Sequence, residues 1–97
     1  MKSIFIAYDQ AHHDHIIEIL NRHSCRGFTG LGIVQGRGSH RGEPHYGTHA
    51  WPSMNTSVLA IVDDAQVDPV LDALRAMDSQ TKMQGSRAFV WNIEKGM

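Results

Sequence analysis

The chain has 97 residues, 41% of them apolar, with a net charge of −1 and an isoelectric point near 6.6, which describes a single globular domain over residues 1–97. So balanced a charge gives bulk electrostatics no grip on nucleic acid or on an anionic membrane, and no nucleic-acid partner is expected. Cys25 is the only cysteine, which excludes an intrachain disulfide framework; with no secretory leader and no apolar run of membrane length, the expected location is the cytoplasm.

In chain order, residues 3–8 read Ser-Ile-Phe-Ile-Ala-Tyr, a β-branched and aromatic run that predicts a strand ending at Asp9, a residue able to cap a following helix. From Ala11 to about His23 the helical spacing of His13, Ile16, Ile17 and Leu20 predicts an amphipathic helix, with Glu18, Asn21 and Arg22 on its other faces. Gly27 stands where a helix exit and turn would use a glycine. Phe28 to Gln35 predicts a somewhat irregular, glycine-rich strand carrying Leu31, Ile33 and Val34. A long loop of about residues 37–55 follows.

Beyond the loop, residues 57–62 (Ser-Val-Leu-Ala-Ile-Val) predict another strand, closed by Asp63 and Asp64 in the position of a helix cap. Val67, Val70, Leu71, Leu74 and Met77 form the apolar stripe of a second helix. A helix start near Ala65 or Gln66 is expected to tolerate Pro69, because the first four helical positions have no amide bond to lose. Ser86 to Ile93, centred on Phe89, Val90 and Trp91, predicts the last strand.

That order is βαββαβ. It implies an α+β, ferredoxin-like fold: a four-stranded antiparallel sheet with two helices on one face and a long loop between strands 2 and 3. A sheet with one wet face should alternate apolar and polar residues, yet the strands at 3–8, 58–62 and 88–91 are apolar at consecutive positions. Two helices cover one face only, so another copy of the chain is expected on the second. A domain of this size buries only ~60 to 65% of its unfolded surface, so such a partner would also add stability.

Several motifs, in this order and spacing, resemble the PII superfamily of trimeric regulatory proteins. Gly27-Phe28-Thr29 resembles the Gly-Met-Thr element of that family, and Gly36-Arg37-Gly38 the Gly-x-Gly that opens its T-loop. The segment from Ala60 to Asp68 resembles the family's strand-to-helix passage, and Gly85-Ser86-Arg87-Ala88-Phe89 its B-loop and final strand. Ser86 stands where the family has a second B-loop glycine, and Arg87 where it usually has a lysine. The resemblance implies a homotrimer that binds adenine nucleotides in clefts between subunits. It also implies a T-loop presented to a membrane transporter or an enzyme as a ligand-dependent switch. Gly27, Phe28, Thr29, Gly36, Arg37, Gly38, Gly85 and Arg87 would then line the cleft, glycines admitting phosphates to backbone amides and arginines supplying forked donors. The bland alternative is that these glycines serve turns alone.

Seven histidines are the compositional oddity. His40, His45 and His49 share the long loop, whose backbone could bring three imidazoles to ~2.0 to 2.1 Å of one zinc, or to similar distances from copper or nickel. This keeps a transition-metal sensor or tolerance protein open as the alternative function, against the reading of solvated loop histidines. Some PII-like proteins resemble this chain in having a His-bearing loop, and that branch is linked with heavy-metal efflux pumps. His12, His13 and His15 begin the first helix, where His12 and His15 would share a face and offer half a metal site. His23 suits a helix C-terminus. No enzyme is expected: Cys25 and His23 are two residues apart and do not face each other on a helix, and no paired-carboxylate or Ser-His-Asp spacing stands out.

Overall fold

The computed structural model describes residues 1–25, 27–34, 55–80 and 85–97. The expectations for Gly36, Arg37, Gly38, His40, His45 and His49 lie outside these residues. The elements are β1 (Lys2–Asp9), a 3₁₀ turn (Gln10–His12), α1 (His13–Arg22), β2 (Phe28–Val34), β3 (Asn55–Val62), α2 (Asp64–Ser79) and β4 (Arg87–Asn92). The four strands form one antiparallel sheet in the order β2-β3-β1-β4, the ferredoxin-like α+β arrangement.

Register and burial sort the two faces. Ile4, Ile6 and Tyr8 of β1 and Val58 and Ala60 of β3 are fully buried and pack with Ile16, Ile19 and Leu20 of α1 and Val70, Leu74 and Met77 of α2. Side chains alternate along a strand, so the residues between these point away from the helices. One row of that open face runs Leu59, Phe5, Phe89, and the next Ile61, Ser3, Trp91. Ile61 is 45%, Phe89 57% and Trp91 48% exposed, and the rings of Phe5 and Trp91 stack with centroids 6.4 Å apart. The apolar second face therefore exists, and one chain leaves it uncovered.

Three local expectations change. The first helical segment is divided: Asp9 caps the 3₁₀ turn, its carboxylate accepting from Ala11 N at 2.9 Å, and α1 proper begins only at His13. The residue at the helix exit with left-handed backbone is Ser24, at φ 64°, not Gly27. Ser24 N donates to Asn21 O (3.1 Å) and Cys25 N to Leu20 O (2.7 Å), the paired bonds of a Schellman ending, which places the left-handed residue directly after His23. Finally, α2 starts at Asp64, so Pro69 falls in its second turn and not among the first four positions. Its missing N–H leaves Ala65 O without a helical donor, and Ala65 is exposed to water, which lowers the cost.

Gln66 ties the two helices together. Its Oε1 accepts from Asp63 N (2.7 Å), closing the start of α2, while Nε2 donates to His23 O (3.1 Å) and Ser24 O (3.2 Å) at the end of α1. A left-handed backbone costs a residue with a Cβ about 1 to 2 kcal/mol, whereas glycine there loses somewhat more chain entropy on folding. Ser24→Gly is therefore expected to stabilise the fold by about 0.5 to 1 kcal/mol, raising the calorimetric Tm by roughly 3 to 6 °C at fixed protein concentration. Ser24→Val should lower it.

Candidate functional site

Arrangement of the sheet decides which motif residues can meet. Gly27 precedes β2, an edge strand on which Phe28 and Thr29 are exposed. Gly85 precedes β4 and Arg87 begins it, at the opposite edge of the same sheet. Phe28 pairs with Ala60, and Ala60 with Ile4, whereas Arg87 pairs with Ala7. Three interstrand steps, roughly 14 Å, separate the two motifs across the sheet, besides their offset along it. One chain by itself therefore keeps the two motifs apart.

The stems of the long loop are placed as well. Val34 pairs with Asn55, which pairs with Asp9, so the described residues that flank the long loop face each other across one rung of the sheet. Arg87, opposite Ala7, begins β4 at this same end of the sheet. Just before the loop, β2 slips register between Gly30 and Gly32, making Leu31 the extra residue of a bulge. Gly32 takes φ 81°, which a side chain would strain, and Thr56 Oγ1 on β3 donates to Gly32 O at 2.8 Å. The glycines of this strand were legible as irregularity; the bulge required the register.

Behind the bulge, the fully buried Tyr8 shares a 2.6 Å hydrogen bond between its hydroxyl and His13 Nδ1, and the two rings stack with centroids 5.9 Å apart. His13 is therefore not a core residue of α1, as its helical spacing suggested, but an exposed ring drawn against β1 by a polar contact. Burial pushes the Tyr8 phenol up to about 12, although a hydrogen bond with Thr56 acts in the opposite direction. Below pH 10 both folded and unfolded chains keep the proton. Between 10 and about 12 only the folded chain does, so stability falls as pH rises through that window, by roughly 2 to 3 kcal/mol in all. Urea midpoints at stepped alkaline pH should show this limb in the wild type and a shallower one in Tyr8→Phe.

His12 closes the 3₁₀ turn and His15 lies in the first turn of α1. Among the described residues no group of three or more His, Cys, Asp or Glu is placed to hold a metal ion. Cys25 is buried at 2% exposure with its Sγ 3.6 Å from His23 O, and burial pushes its thiol pKa up, the opposite of what a nucleophilic thiolate needs. Among the described residues no helix is long and apolar enough to cross a membrane.

Comparison with known proteins places this arrangement. No curated relative matches the chain by sequence. Among solved structures it is similar to CPII, a nitrogen regulatory PII-like protein from Thiomonas intermedia K12 bound to ADP, AMP and bicarbonate. That match has 23% identity and a TM-score of 0.76, over 99% of this chain and 92% of that one. The apo form of CPII matches at 20% identity and TM-score 0.73, over 95% of this chain and 87% of that one. A structure described as a PII-like signalling protein, from Thermus thermophilus, matches at 19% and 0.67, over 95% and 85%. The family model for nitrogen regulatory protein P-II matches residues 1–96, and with that match the chain belongs to the P-II family.

Proposed function

We propose that this P-II family member acts as a homotrimeric regulator that binds an adenine nucleotide in clefts between subunits and presents residues 37–55 to a partner transporter or enzyme. The observation that carries this reading is the separation of the two motifs onto opposite edges of one sheet whose remaining face is apolar and uncovered. Copies packed by that face set the β2 edge of one chain beside the β4 edge of the next, bringing Gly27, Phe28 and Thr29 toward Gly85 and Arg87. Gly36, Arg37 and Gly38 complete the cleft from the loop base, which leaves the sheet at the Arg87 end. The ADP and AMP bound by CPII support the ligand class. A conformational change at the cleft would reach the loop through the last described rung of β2 and β3, Val34 with Asn55.

Calorimetric titration with ADP, AMP and ATP, alongside sedimentation, tests both parts. Wild type is expected to sediment at three times 10.8 kDa and to bind at least one of these nucleotides, with Arg87→Gln weakening binding about tenfold, or ~1.4 kcal/mol. Absence of affinity for all three in a well-formed trimer would reject the nucleotide assignment. The transition-metal alternative rests on His40, His45 and His49, and no cluster among the described residues favours it.

A further inference from the structure

Between α2 and the start of β4 lies a groove of about 170 Å³, space for ~10 waters or for one small organic molecule. Ile6, Leu71 and Leu74 supply an apolar floor, and Arg75, Asp78 and Ser86 a polar rim. Two rim atoms are anomalous: Asp78 Oδ1 and Ser86 Oγ are buried and have no hydrogen-bond partner among the described residues. They come from different elements and line the same space. Leaving such groups unpaired costs about 1 to 3 kcal/mol each, so native structures give them a partner, whether protein, water or ligand.

The rim narrows the choice of occupant. Arg75 uses one guanidinium N–H on Asp72 Oδ1, at 3.0 Å on the exposed side, and a guanidinium carries five. A simple anion would meet the Asp78 carboxylate; a simple cation would meet Arg75 and the neighbouring Arg87. Water would satisfy the polar atoms but leave the floor of Ile6, Leu71 and Leu74 wet. A molecule with an ammonium for Asp78, a carboxylate for Arg75 and a hydrocarbon chain for the floor matches all three features. Ser86 serves either charged end, since a hydroxyl both donates and accepts.

We propose that this groove binds a free α-amino acid with an aliphatic or thioether side chain, as a second ligand site within each chain. It shares only Arg87 with the proposed nucleotide cleft and is built from one chain, so it stands or falls separately. Calorimetry or saturation-transfer NMR on the full chain, with L-leucine and L-methionine as probes, tests it. 4-Methylpentanoate, which lacks the ammonium, and isopentylamine, which lacks the carboxylate, are the controls. At least one amino acid is expected to bind in the millimolar range or tighter, with each control about tenfold weaker. Asp78→Asn and the exposed Arg75→Gln are each expected to weaken that binding about tenfold while leaving the ADP titration unchanged. If Asp78→Asn misfolds by circular dichroism, Arg75→Gln decides. Failure of both amino acids to bind at millimolar concentration overturns the proposal, as do equal affinity for isopentylamine or unaltered binding in the folded variants.

Discussion

Trp91→Glu is expected to turn the proposed trimer into a monomer at micromolar concentration, read by sedimentation velocity, while the circular dichroism spectrum keeps its helix and strand content. Trp91 is 48% exposed on the face opposite the helices, stacked on Phe5 and one residue pair from Ile61 through Ser3. In the single chain its substitution removes little buried area, so the fold should survive. In an assembly the glutamate would sit in a desolvated apolar interface without a partner, at a cost of several kcal/mol per copy. Symmetry repeats that cost in every subunit. Phe89→Glu, in the adjacent row, should behave alike, whereas a charge reversal on the outer surface, such as Asp72→Lys, should leave the mass unchanged. Loss of trimer should also abolish nucleotide affinity, since each half-site keeps only its own edge strand. A trimeric Trp91→Glu would show that copies do not meet through this face.

Ile4→Ala should destabilise the folded chain by about 2 to 5 kcal/mol, a large share of the 5 to 15 kcal/mol that holds most domains together. Ile4 is fully buried on the central strand β1, between Ala60 of β3 and Val90 of β4. Its side chain belongs to the cluster in which the sheet meets α1 and α2, where close packing leaves little freedom to collapse around a void. Ile4→Val removes one methylene and should cost only about 0.5 to 1.5 kcal/mol. Urea denaturation at one protein concentration would measure both, and that constancy matters because assembly adds stability by mass action. An Ile4→Ala cost below that of Ile4→Val would contradict the burial of this position.

Element order and sidedness were legible from local pattern. The β-branched run at 3–8 and the stripe of Val67, Val70, Leu71, Leu74 and Met77 each announce their period within a few residues, and an apolar residue on both sides of a strand implies two buried faces. Family membership was readable for a related reason: short motifs kept their order and spacing from Gly27 to Phe89. Other features depend on atoms brought together from distant parts of the chain. That Ser24 and not Gly27 takes the left-handed turn follows from bonds closing the last turn of α1, and Pro69 fell in the second turn because Asp63 and Gln66 together set the start of α2. His13 looked apolar by spacing until Tyr8, on a different element, gave its ring a hydrogen bond.

The candidate site shows the same division more sharply. The family resemblance at 27–29 and 85–87 implied a cleft, but only strand order set them on opposite edges, because β1 and β3 pair with each other and occupy the centre. The groove holding Asp78 and Ser86 left no mark in the sequence, since it exists only where α2 crosses back toward β4. Local chemistry determined what each segment becomes and which faces shun water; long-range strand pairing decided which side chains share a space, because no periodicity along a chain encodes the distance between its edges.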